Sequence, residues 1–187
     1  MKERSLVDRF IEFEDRMISV ESLTKYGTAN DLKFYIFDYN PQDEITIRSE
    51  VKKIKGRNPN IVEFDLYNLI IGILKEKGFL DKAFELEVVK GRDFVKRAIN
   101  TLLNLTSESN LIIDHIKENS PENSIVFLTG IGKSYPLLRS HNILNNLHQV
   151  LDEVPIIMFF PGKYSGTDLN LFGTIQDNNY YRAFRLV

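Results

Sequence analysis

Four short apolar runs constrain this chain more than any other feature. Phe34-Tyr35-Ile36-Phe37, Ile61-Val62-Glu63-Phe64, Ile125-Val126-Phe127-Leu128 and Pro155 to Phe160 each read as a buried strand closed by turn or capping residues. Asp38-Tyr39-Asn40-Pro41 stops the first, because proline denies a ladder its donor and restricts the residue before it. Tyr180 to Val187 supplies a fifth strand at the end of the chain.

Helical spacing fills the intervals. Leu6, Phe10, Phe13 and Met17 share one face of an opening amphipathic helix. A charged helix covers Glu44 to Lys55, and an apolar one covers Leu66 to Lys77 with Asp65 as N-cap and Gly78 as C′ residue. Asp81 to Glu118 is helical in two stripes separated near Ser107 and Ser109. Leu137, Leu138, Leu144, Leu147 and Leu151 mark a further helix that starts near Pro136, since proline suits a first turn.

Strands alternating with helices predict an α/β protein, three-layer α/β/α around a mostly parallel sheet of about five strands, Rossmann-like or degenerate P-loop-like. With 187 residues, 43% of them hydrophobic, one domain spanning residues 1–187 is expected. Right-handed crossovers would gather the carboxyl ends of parallel strands on one edge, where Asp38, Gly130, Gly132, Pro161 and Gly162 fall. Gly130, Gly132, Pro136, Pro161 and Gly162 are read as structural turn residues, with Gly162 expected at φ > 0.

Gly130-Ile131-Gly132-Lys133-Ser134 on that edge ends like a Walker A loop. The full pattern demands a further glycine at position 127, which is Phe127, inside the third strand. A strand running on to Leu128 leaves no wide loop to wrap N–H groups around a β-phosphate. The fourth strand ends in no acid that could serve as a Walker B residue. The glycines therefore read first as a tight strand-to-helix turn. A nucleotide switch or NTPase using residues 130–134 is the alternative.

No other chemistry finds a champion. Cysteine is absent, which excludes thiolate metal sites, disulfides and cysteine nucleophiles. His141 and His148 lie seven apart, not at the spacing of a helical metal pair, and His115 sits within an apolar stripe. No hydrolase elbow occurs, and paired carboxylates such as Glu12 and Glu14 fall on charged helices. No catalytic, cofactor-binding or metal-ligating residue is assigned. Lys+Arg number 24 against 26 Asp+Glu, so a net charge of −2 creates no general attraction for nucleic acid or anionic lipid. The acid-bearing N-terminal segment is no signal peptide, and a cytoplasmic protein is expected.

Tyrosine and arginine carry much of the binding energy of protein interfaces, and the adjacent Tyr180 and Tyr181 stand beside Arg182 near the end of the chain. Asp38, Tyr135, Arg139, Tyr164, Tyr181 and Arg182 are the candidate partner-binding residues.

Tyr135-Pro136-Leu137-Leu138-Arg139-Ser140-His141 with Leu144-Asn145-Asn146-Leu147, then Phe159-Phe160-Pro161-Gly162-Lys163-Tyr164-Ser165-Gly166 with Leu169 and Leu171-Phe172, then Asn179-Tyr180-Tyr181-Arg182-Ala183-Phe184, together resemble the BrxB family of bacteriophage exclusion (BREX) systems. Phe37-Asp38-Tyr39-Asn40-Pro41 and Asp65-Leu66-Tyr67 look like that family's N-terminal signature. The resemblance implies a small cytoplasmic defence protein with no established catalytic activity. It also implies association with the alkaline-phosphatase-like protein PglZ, within a complex that includes an adenine-N6 DNA methyltransferase. DNA would be reached only indirectly, no membrane is implied, and the oligomeric state stays open, a homodimer included. Lys133-Ser134 is not part of the resemblance.

Overall fold

Successive residues of a strand face opposite sides of its sheet, so runs that are apolar at every position need cover on both sides. The computed structural model describes residues 4–26, 33–105, 107, 110–151, 154–177 and 183–187; the side chains of residues 18–26, 141 and 177 lie outside that description. Strands β1 (Phe34–Tyr39), β2 (Ile61–Asp65), β3 (Ile125–Thr129), β4 (Ile156–Tyr164) and β7 (Phe184–Arg185) lie in the order β2-β3-β4-β1-β7. Every neighbouring pair in that order is parallel. Strands β5 (Leu169–Leu171) and β6 (Ile175–Asp177) add antiparallel to the end of β4. The expected α/β architecture with a mostly parallel sheet is thus observed.

Helices α1 (Leu6–Tyr26) and α2 (Glu44–Arg57) cover one face. There Phe10, Phe13, Met17, Ile47, Val51 and Ile54 bury against Phe37, Phe127, Ile157 and Phe159. Helices α3 (Leu66–Glu76), α4 (Leu80–Lys90), α5 (Arg92–Leu103), α6 (Leu111–Glu118), the single turn α7 (Ile131–Ser134) and α8 (Ser140–Val150) take the other side. Their apolar residues pack on Ile36, Val126, Leu128, Met158 and Phe160. The connection from β1 to β2 crosses the sheet one way over the first face, and those from β2 to β3 and β3 to β4 return over the second. A common crossover hand requires that arrangement.

Several local expectations are met. Asp65 caps α3 by accepting a hydrogen bond from the Asn68 amide at 3.0 Å, and Gly78 takes φ 62° just beyond that helix. Gly130 takes φ 72° between β3 and α7, the tight turn expected of it.

Others are corrected. No helix starts at Pro136: α7 ends at Ser134, a turn carries Leu137 and Leu138, and α8 begins at Ser140. Pro161 and Gly162 form no turn, because β4 continues through them to Tyr164, Pro161 beside Tyr39 of β1 and Gly162 opposite Leu171 of β5. Proline is tolerated there since its carbonyl, not its missing N–H, makes the bond, accepting from the Phe172 amide at 2.9 Å. Gly162 is not at positive φ; a Cβ on it would lie 2.1 Å from the Asn170 carbonyl oxygen, so the requirement is close approach of two backbones. Gly132 likewise serves close approach, its would-be Cβ falling 2.9 Å from the Phe172 ring. The fifth strand is short among the described residues, Phe184–Arg185, and Tyr180, Tyr181 and Arg182 lie outside them.

Phe13 links α1 to the sheet. Its ring lies 5.3 Å from that of Phe37, 6.0 Å from Phe127 and 5.6 Å from Phe159, and its side chain is wholly buried. Phe13→Ala should lower unfolding free energy by about 3–5 kcal/mol, seen as a lower urea midpoint at unchanged m-value. A cost below ~1 kcal/mol would refute the docking of α1 on this face.

Candidate functional site

The carboxyl edge of the sheet is where an open α/β fold keeps a ligand, in the crevice where successive connections leave to opposite faces. Here β1 leads to α2 on one face and β3 leads to α7 and α8 on the other, with β4 between them. The continuation of β4 runs into that crevice. The Tyr164 amide donates to Asp38 Oδ2 at 2.9 Å, and Arg185 of β7 donates to the same oxygen at 2.8 Å. Arg9 of α1 donates to the Asp38 carbonyl at 2.5 Å and approaches Oδ1 at 3.2 Å, its guanidinium 4.7 Å above the Phe37 ring. Asp38 is therefore a partly buried carboxylate joining three elements.

Tyr164 is fully buried; its hydroxyl lies 2.8 Å from the carbonyl oxygens of both Gly166 and Ala183, which share its one donated proton. Its side chain braces the chain between β4 and β7 and shows no surface to a partner. Tyr39 has a similar structural part. Its hydroxyl donates to Glu44, and burial, followed by that neighbouring carboxylate, holds the phenol protonated far above the usual tyrosine range.

The Walker-like loop is also internally engaged. Lys133 Nζ lies 2.6 Å from Asp65 Oδ2 and 5.4 Å from the centre of the Tyr67 ring. A Cβ on Gly130 would fall 2.3 Å from Asp65 Oδ1, so the carboxylate fills the space against the glycine. An incoming phosphate would meet this carboxylate, and its lysine is already paired. Beside it Thr129 donates to Glu63 Oε1 at 2.9 Å.

Tyr135 and Arg139 come together a few ångströms of chain further on. Both line a recess of about 190 Å³ whose other walls include Ser140, Phe160, Leu169, Leu171 and Ile175. Tyr135 is half-buried and Arg139 exposed. Phe172 and Tyr67, 39% and 38% exposed, flank the same edge through their contacts with Gly132 and Lys133. Of the candidate residues, then, Tyr135 and Arg139 share a surface, Asp38 and Tyr164 hold the fold, and Tyr181 and Arg182 are outside the described residues.

Sequence reasoning read Asp65 as a helix cap and Tyr67 and Phe172 only as parts of the family resemblance, and gave Arg9 and Arg185 no role. For Asp65 a further signal was present, since an acid at the carboxyl end of a strand beside a Gly-Lys-Ser string invites pairing. The pairing of Arg9 and Arg185 with Asp38 depends on strand order, which left no signal. The histidines that are described pack against rings: His148 stacks on Phe34 with centroids 3.6 Å apart, and His115 meets Phe64 edge-on at 6.1 Å. Among the described residues no group of three or more His, Cys, Asp or Glu could hold a metal ion, and no helix is long and apolar enough to cross a membrane.

Fold and site define a parallel α/β protein whose carboxyl edge is closed by its own acids and cations. The chain belongs to the BrxB family, whose model, described as "BREX protein BrxB", matches residues 62–186. A BREX protein BrxB of Bacillus cereus (strain H3081.97) is 44% identical over 189 residues, covering 98% of each chain. A BREX protein BrxB of Escherichia coli O9:H4 (strain HS) is 31% identical over 182 residues, covering 96% of this chain and 90% of the relative. No solved structure matches the chain. The resemblance read from the C-terminal strings is thereby confirmed, and the protein is a component of a BREX antiviral defence system.

Asp65→Ala removes a cap and leaves Lys133 unpaired, and should cost about 1–2 kcal/mol in urea unfolding. Lys133→Ala breaks only a pair whose lysine is 30% exposed, and should cost less than ~1 kcal/mol. Equal costs would mean that the ion pair, not the cap, is what Asp65 provides.

Proposed function

We propose that this chain is a non-catalytic assembly component of a BREX complex that acts in the cytoplasm and binds the alkaline-phosphatase-like protein PglZ, with the DNA methyltransferase reached through the same assembly and DNA touched only indirectly. The observation that carries this over the nucleotide-switch alternative is the Asp65 carboxylate lodged between Gly130 and Lys133. A loop whose lysine and whose glycine face are both occupied by the chain's own acid lacks what a β-phosphate needs. The half-exposed aromatics Tyr67, Tyr135 and Phe172, with exposed Arg139 near them, form the kind of surface that anchors protein contacts.

Two measurements test the reading. ATP or GTP with magnesium should leave the melting temperature unchanged at concentrations where a true site, saturated at 100 times its dissociation constant, would add about 2.7 kcal/mol. A clear shift abolished by Lys133→Ala would overturn the reading in favour of a nucleotide switch. Secondly, PglZ should co-purify with this protein from its operon, and Tyr135→Ala together with Arg139→Ala should weaken that association by ~2 kcal/mol or more, roughly thirtyfold, with circular dichroism unchanged. Undiminished affinity in the folded double variant would remove this edge from the interface.

A further inference from the structure

The recess beside Tyr135 and Arg139 has three properties that together specify an occupant. Phe160 from β4, Leu169 and Leu171 from β5, and Ile175 from β6 supply an apolar part of its lining from rigid elements, and Ser140 and Gln176 supply polar walls. Its size, about 190 Å³, is well below what a nucleotide or other cofactor-sized ligand needs, which starts near ~300 Å³. It slightly exceeds the ~150 Å³ apolar cavity that suffices to take up one benzene ring. One phenylalanine- or leucine-sized group fits.

Its rim is cationic. Arg139 is exposed, and its guanidinium makes no hydrogen bond or ion pair among the described residues. Arg139 is also the N-cap residue of the eleven-residue helix α8 and provides no side-chain cap, so the first N–H groups of that helix open beside Ser140, a wall of the recess. Three other cations of the carboxyl edge are paired within the fold: Arg9 and Arg185 with Asp38, and Lys133 with Asp65. Arg139 is left facing outward over an apolar socket.

We propose that this recess is a side-chain socket for a short segment of a partner protein, receiving one aromatic or leucine side chain while Arg139 and the uncapped turn of α8 hold an adjacent aspartate or glutamate. The inference rests on the reading of the chain as a partner-binding subunit and names the chemistry of what it binds. Apolar anchor and acidic neighbour are both required, because an exposed ion pair alone contributes little and a socket of this size alone gives no direction to the bound chain.

The test uses the full-length protein, labelled with ¹⁵N, and two capped tripeptides, aspartyl-phenylalanyl-glycine and its asparaginyl counterpart. Each is titrated to about 10 mM, enough to saturate a site with a dissociation constant of ~1 mM. Amide shifts should be confined to residues 135–140, 160 and 169–176, with the aspartyl peptide binding about fivefold more tightly, the factor an exposed ion pair supplies. Arg139→Gln should erase that preference and leave the asparaginyl peptide unaffected. Ile175→Phe, which fills the recess, should abolish binding of both, the unperturbed part of its spectrum confirming that it folds. Shifts elsewhere, none at all, equal affinity of the two peptides for the unaltered protein, or a preference that survives Arg139→Gln would each overturn the socket. Its failure is separable from failure of the PglZ assignment. Absent peptide binding while PglZ still co-purifies overturns the socket alone, whereas the expected peptide behaviour with no PglZ recovered supports the socket and overturns PglZ as the partner.

Discussion

Strand β4 is paired on both edges, with β3 on one side and β1 on the other, and its residues Ile156 to Phe160 are buried on both faces. Ile157 and Phe159 face the α1–α2 layer, and Ile156, Met158 and Phe160 face the larger helical layer. Everything else is arranged around this strand. A stretch covered on both faces and both edges has no route to water, so each side chain from Ile156 to Phe160 contributes burial, and each neighbouring element is fixed by the shape it must match. The cluster of Phe10, Phe13, Phe37, Phe127 and Phe159 is the result on one side: five rings, mostly edge-to-face, locking an N-terminal helix onto strands from three distant parts of the chain.

The same strand decides the character of the carboxyl edge. Because β4 runs on past the end of β1, its Tyr164 amide reaches Asp38, and the crevice that an open α/β sheet offers a ligand is taken up by backbone. The overrun also needs a hairpin to pair with, and β5 approaches Gly162 so closely that only glycine can stand there. Carboxylates at the ends of β1 and β2 are then matched by cations from other elements, Asp38 by Arg9 and Arg185, Asp65 by Lys133. Partly buried charges of this kind are tolerated when their hydrogen-bonding capacity is met, and here each acid also accepts from a backbone N–H. Closing one site opens another: the hairpin that blocks the crevice forms, with the turn before α8, the walls of the recess under Arg139.

For a member of a defence complex this division has a clear physical sense. The edge that in many α/β proteins serves small-molecule chemistry is spent on holding the fold together, and the exposed or half-exposed groups there include the rings of Tyr67, Tyr135 and Phe172 and the charges of Arg139 and Lys163. Family membership places the chain in a BREX system.

Much of this was legible in the sequence alone. Short apolar runs bounded by caps and prolines determined the four principal strands, their alternation with amphipathic helices determined the layered parallel sheet, and Asp65 and Gly78 marked the ends of α3, because period, cap and punctuation are local properties of the chain. The absence of glycine at position 127 was likewise enough to read Gly130-Ile131-Gly132-Lys133-Ser134 as a turn. Strand order, the passage of β4 through Pro161 and Gly162, and the burial of Tyr164 were decided only by the tertiary structure. A proline and a glycine signal a turn unless a distant strand pairs with them, and Leu171 and Tyr39 supply that pairing from residues the local pattern does not reach. The roles of Asp38 and Arg139 differ for the same reason: both are charged residues near strand or helix ends in sequence, but Asp38 meets two arginines brought by α1 and β7, whereas Arg139 meets no carboxylate among the described residues.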